Sequence, residues 1–98
     1  YERVPREVIA GYSTIFWEID DALERAGAPA PDLVLVQMGV GALAAAAVAH
    51  LRQPGRTGRL VGVEPTRAAC ILASMRAGAP VLVPGPHDSI MAGLNCGM

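Results

Sequence analysis

Between residues 5 and 26, Val8, Tyr12, Ile15, Phe16, Ile19, Leu23 and Ala26 recur at helical spacing, while Glu7, Glu18, Asp20, Asp21, Glu24 and Arg25 take the other face. The pattern predicts an amphipathic helix over 5–26. Pro5 suits its first turn, where a missing N–H costs nothing. Gly27 ends it, and Pro29 with Pro31 prevents it from resuming. Leu33 to Gln37 is a short, valine-rich apolar run of the kind that forms a strand buried on both faces. Residues 42–52 are almost wholly alanine, leucine and valine, which predicts a buried helix lying close to a sheet. A turn at Pro54-Gly55 and Gly58 leads to a second buried strand over 59–64, ending in an acid.

Pro65-Thr66 is expected to open a third helix with Thr66 as its cap. Ala68, Ala69, Ile71, Leu72 and Met75 form its inner face, and Gly78 with Pro80 closes it. Residues 81–83 read as a third short strand, 84–88 as a loop, and 89–94 as a further helical turn or ordered loop. Helix and strand therefore alternate along the whole chain. That order points to the α/β class, a three-layer parallel sheet with flanking helices joined by right-handed crossovers.

Composition sharpens this picture. Ninety-eight residues suffice for one domain with a modest core, yet 52% are hydrophobic and only 17% charged. So oily a small domain is expected to have surface that another chain or segment covers. A net charge of -1 gives no reason to expect nucleic acid or an anionic membrane as partner. The longest apolar run, 39–49, is too short to span a bilayer. Cys70 and Cys96 make neither a metal-ligand spacing nor a disulfide framework, which fits a cytoplasmic location. Cys70 reads as a small core residue, and Cys96 has no histidine placed beside it by sequence. His50, at the end of an apolar helix, suits the helix dipole, and His87 lies in a proline-rich loop. All eight basic residues are arginine, so chemistry needing a Schiff-base lysine cannot run on this polypeptide alone.

The candidate chemistry centres on Gly39-Val40-Gly41-Ala42-Leu43-Ala44, where the first strand turns into the alanine-rich helix. Unpaired N–H groups and the helix dipole make such a start a ready anion site, and glycines let ligand oxygens approach the backbone. The same residues fit the dinucleotide pattern G-x-G-x-x-A, with Glu64 at the end of the next strand as the carboxylate for a ribose. Glycines also occur at such turns for tight packing alone. At this point a phosphate cup, an NAD(P)-binding Rossmann-type unit and a non-catalytic α/β piece all stand.

A wider set of residues narrows the choice. Val4-Pro5-Arg6, Gly11-Tyr12-Ser13-Thr14, residues 36–44, Gly62-Val63-Glu64-Pro65 and Ser89-Ile90-Met91-Ala92-Gly93-Leu94-Asn95-Cys96-Gly97 together resemble, in order, diaminopropionate ammonia-lyase. That family is a fold-type-II pyridoxal-phosphate lyase related to threonine dehydratase, serine racemase and the tryptophan synthase β chain. The glycine loop and Gly-Val-Glu-Pro are common to fold type II, whereas the second and last segments point to the ammonia-lyase branch.

The resemblance implies pyridoxal 5'-phosphate as cofactor and a small amino acid as substrate. The implied chemistry is αβ-elimination to pyruvate and ammonia. It implies that the backbone amides of Gly39, Val40, Gly41, Ala42 and Leu43 hold the phosphate, that Ala92 and Gly93 lie near the pyridine ring, and that Glu64 belongs to the same cofactor site. The family's lysine lies upstream and its ring-nitrogen contact downstream, so neither is in this chain. An acid that the ammonia-lyases use near the substrate falls just before Tyr1. Serine racemase relatives hold a divalent metal with an acid six residues after the Glu. Here that position is Cys70, so no such metal is expected.

The chain, which opens at Tyr1 without a methionine, is thus expected to be a fragment of a larger pyridoxal-phosphate-binding domain, inactive alone. With its oily surface uncovered, it should form a homodimer or larger self-associated species. Sedimentation of the isolated chain is expected to show association that rises with concentration, and a clean monomer at high concentration would contradict the exposed-core argument.

Overall fold

The structure is a computed structural model and describes residues 3–96. Helix α1 runs Arg3–Arg25, strand β1 Leu33–Gln37, helix α2 Ala42–Leu51, strand β2 Arg59–Val63 and helix α3 Cys70–Ala77. Two short 3₁₀ turns, Thr66–Ala68 and Ala92–Leu94, complete the regular elements. Tyr1 and Gly97, used above, lie outside the described residues.

β1 and β2 pair in parallel, with Val34 opposite Leu60, Val36 opposite Gly62 and Gln37 opposite Val63. A parallel pair needs a crossover, and α2 supplies it. Alternation along the strands puts Val34, Val36 and Leu60 on the face toward the helices. There Phe16, Val36, Ala46 and Ala47 form the core, with Ile9, Leu43, Ala44 and Leu60 packed around it. Ala47 is fully buried, as expected of an alanine-rich helix drawn close to a sheet.

The opposite sheet face is bare. Leu33, Leu35, Val61 and Val63 are 42–64% exposed, so the strands are covered on one side only. The expectation of strands buried on both faces is met by half because nothing among the described residues lies over that side.

Three further expectations are corrected. Residues 81–83 form no strand. Their backbone is tied locally instead: Val81 N–H donates to Ser74 Oγ at 3.0 Å, and His87 Nε2 lies 2.8 Å from the Val83 carbonyl. Thr66 caps no helix by its side chain, because a 3₁₀ turn intervenes and α3 starts only at Cys70. The inner face of α1 is also displaced. Phe16 is buried, but Val8, Tyr12, Ile15 and Ile19 remain 39–45% exposed.

Asp20 explains the displacement. Assigned by periodicity to the solvent face, it turns inward and meets His50, which is buried at 4% exposure. Asp20 Oδ2 lies 2.8 Å from His50 Nε2 and accepts from Arg56 Nη2 at 2.6 Å. Phe16 and Trp17 enclose the same imidazole, Trp17 edge-on with ring centroids 4.7 Å apart. His50 therefore bridges α1 and α2 rather than merely complementing a dipole.

The Arg56 hydrogen bond holds the Asp20 carboxyl below its ordinary value of 3.8, against the opposing effect of burial and with help from His50. A depressed carboxyl contributes stability above its unfolded pKa and loses it as pH falls through the folded value. Asp20→Asn should therefore cost about 1–2 kcal/mol near pH 7, reduced by the group's partial exposure. The gap from wild type should close toward about pH 3 in urea unfolding, and an equal gap at both values would rule the ion pair out as its source.

Candidate phosphate cup at the glycine turn

The turn from β1 into α2 is built by removing side chains. Gly41 is the residue before α2, at φ +104°, a conformation that L side chains rarely adopt. A Cβ there would also come within 2.9 Å of Ile71 Cδ1, on the first turn of α3. Gly39 has more room: a Cβ there would make ordinary contacts, 3.5 Å from Cys96 Sγ and 3.6 Å from the Gly93 carbonyl oxygen. Two distant segments thus close on this turn, α3 from one side and the 92–96 turn from the other.

No side chain caps α2. The Gly41 carbonyl accepts the N–H of Ala45 at 2.8 Å, closing the first helical turn. The N–H groups ahead of Ala45 have no intrahelical acceptor by the geometry of any helix start. They are framed by Ala42, Leu43 and Ala44, all half-buried, beside an exposed Val40. Uncapped amides, a dipole end and a wall of small residues suit a compact anion such as a phosphate monoester.

The 92–96 turn owes its shape to a closed ring of hydrogen bonds. Asn95 Oδ1 accepts from Ser89 N–H at 3.1 Å and from Ser89 Oγ at 2.6 Å, while Asn95 Nδ2 donates to the Ser89 carbonyl at 3.0 Å. Arg67 Nη1 reaches both oxygens of Asp88 at 2.9 and 3.0 Å, fastening this loop to the Thr66–Ala68 turn from outside. Asp88 therefore pairs with an arginine from a separate turn.

Of the residues singled out from sequence, Gly39, Val40, Gly41, Ala42 and Leu43 occupy the turn and first turn of α2, and the 3₁₀ turn holding Ala92 and Gly93 abuts Gly39. Glu64 is placed differently. Its carboxylate accepts the backbone N–H of Ile71 at 3.0 Å and of Leu72 at 2.9 Å, so both oxygens face α3. Cys70 is buried beside the turn, with Sγ 3.4 Å from the Gly39 carbonyl oxygen. Burial, then the nearby Glu64 charge, pushes its thiol pKa up, which keeps it protonated and unreactive. Its apolar surroundings in the sequence identified Cys70 as core, but its position directly behind the turn had no signal there. Among the described residues no three His, Cys, Asp or Glu side chains cluster as metal ligands, and no helix is long and apolar enough to cross a membrane.

Comparison with known proteins settles the kinship of this turn. The family described as "Pyridoxal-phosphate dependent enzyme" matches residues 4–98. The chain belongs to that family. Similar proteins include the diaminopropionate ammonia-lyases of Salmonella typhimurium, 33% identical, and of Escherichia coli strain K12, 36% identical, each over 99% of this chain. A biosynthetic L-threonine dehydratase of Mycobacterium leprae is 38% identical over 76% of the chain and 16% of its own length. The chain spans about a quarter of the length of the two ammonia-lyases, 25% in each case.

Family membership indicates pyridoxal phosphate as the cofactor of the complete enzyme and a fold-type-II framework around this α/β piece. The glycine turn suits the phosphate end of that cofactor by its donors: α2 starts without a side-chain cap, which leaves its first amides to an anion. Gly41→Ala should cost about 1–3 kcal/mol, from the positive φ and the contact with Ile71 together. Gly55→Ala has a similar φ of +85° in open surroundings and should cost less. Chemical denaturation of both gives the difference, and equal losses would mean that Ile71 yields freely.

Proposed function

We propose that this chain is the phosphate-holding segment of a longer pyridoxal-phosphate lyase. Its reaction is the αβ-elimination of 2,3-diaminopropionate, or a related small amino acid with a β leaving group, to pyruvate and ammonia. The observation that carries the reading is the start of α2, which no side chain caps and which follows a glycine at φ +104°. Similarity to ammonia-lyases along 99% of the chain supports the leaving group, against 76% for the threonine dehydratase. The dinucleotide reading has no comparable support, and Glu64 spends both oxygens on α3 rather than on a ribose.

Bound pyridoxal phosphate supplies an electron sink for the charge that develops when the substrate's α-proton leaves. The chain's own residues hold and shield. Backbone amides of Gly39, Val40, Gly41, Ala42 and Leu43 would hold the phosphate, fixing one end of the cofactor by charge and hydrogen bonds. The turn holding Ala92 and Gly93 forms the adjoining wall, held rigid by Ser89 and Asn95. With no lysine in the chain, the covalent hold and the base that removes the α-proton come from elsewhere in the longer polypeptide. The same polypeptide covers the bare face at Leu33, Leu35, Val61 and Val63, completing the three-layer sheet. A homodimer in the cytoplasm is the expected working form.

The complete polypeptide carrying this segment, mixed with pyridoxal phosphate, is expected to develop an absorption band at longer wavelength than its own aromatic absorption. It should release pyruvate from 2,3-diaminopropionate faster than it releases the corresponding 2-oxo acid from threonine. A band without either turnover would reassign the reaction, and no band would remove the cofactor.

A further inference from the structure

Glu64 is the acid that sequence patterns place among cofactor contacts, yet it touches the helix behind the cup instead. α3 begins after Ala69, which has no side chain to cap it. The N–H groups at the second and third positions of a helix are those that a capping side chain normally serves. Here they belong to Ile71 and Leu72, and the Glu64 carboxylate takes both, at 3.0 and 2.9 Å, from the end of β2. The cap is therefore tertiary: a strand end holds a helix start.

The residues so held are those that back the glycine turn. Ile71 Cδ1 sits 2.9 Å from where a Gly41 Cβ would be, and Cys70, one residue earlier, places Sγ 3.4 Å from the Gly39 carbonyl oxygen. Charge-assisted hydrogen bonds from Glu64 to α3, and contacts from α3 to Gly39 and Gly41, form one continuous path. We propose that Glu64 is a positioning residue of the phosphate cup, acting through Cys70 and Ile71 and touching neither cofactor nor substrate. The role rests on the cup reading above in one respect only, that the anion held is the cofactor's phosphate.

The test compares pyridoxal phosphate with pyridoxal, which lacks the phosphate, as ligands of the complete polypeptide. Loss of two charge-assisted bonds in Glu64→Ala should weaken pyridoxal phosphate binding about tenfold or more while changing pyridoxal binding less than about twofold. Glu64→Gln, which keeps one acceptor oxygen, should fall between. Equal losses for both ligands would make Glu64 a contact of the shared ring or a general prop, and unchanged binding would remove its role altogether. Should Glu64→Ala fail to fold, Glu64→Gln and Ile71→Ala decide, since each must show the same phosphate-selective loss and an unselective or null effect in both overturns the path.

Hydrogen exchange on the cofactor-free protein supplies an independent arm. In Glu64→Gln the amides of Ile71, Leu72 and Ala45 should exchange about tenfold faster or more, with α1 unchanged. If wild type binds neither ligand, the phosphate reading fails, while this exchange pattern still decides whether Glu64 holds the turn. Unchanged exchange at Ala45 would break the link between α3 and the cup.

Discussion

The left-handed backbone at Gly41 is the constraint on which this structure turns. There the chain bends from β1 into α2 between α3 and the 92–96 turn, in a conformation that other residues resist. The result is a helix start that no side chain caps. Everything else described serves to keep that start where it is: a core that α2 enters through Ala46 and Ala47, a strand pair that aims it, and two separate segments beside it.

Two polar clusters tie the surrounding elements together. Asp20 reaches His50 and Arg56, thirty and thirty-six residues away. Glu64 reaches over the Thr66–Ala68 turn to α3. Each binds a charged side chain to a group half-withdrawn from water, where such a bond is worth more than on an open surface and where its loss leaves a partner unmatched. The exposed Arg67–Asp88 pair is of the other kind, screened by solvent, and contributes geometry more than energy.

The contrast explains what could be read in advance. β1, α2 and β2 declare themselves through composition, because a valine-rich run and an alanine-rich run each leave few alternatives. The glycine turn follows from their junction. What periodicity missed is the face of α1, where Asp20 occupies an inward position that an apolar residue would ordinarily hold, and the cap of α3, where the sequence offers Thr66 nearby but the structure uses Glu64. Neither partner choice is encoded locally. Residues 81–83 are apolar enough for a strand, but a strand needs a neighbour, and here their backbone bonds go to Ser74 and His87. The kinship with pyridoxal-phosphate enzymes was legible because it rests on short segments in fixed order rather than on packing.

The buried His50 has one more consequence. It lies in the last turn of α2, at the end opposite the glycines, and α2 is a ten-residue rod about 15 Å long. One end of that rod is clamped to α1 by the Asp20 and Arg56 cluster, while the other ends in bare amides. Mechanically, α2 is a cantilever whose fixed end sits in the interior and whose free tip is the helix start behind the glycine turn. Because its mounting is on α1, α1 sets the datum from which the position of that tip is measured.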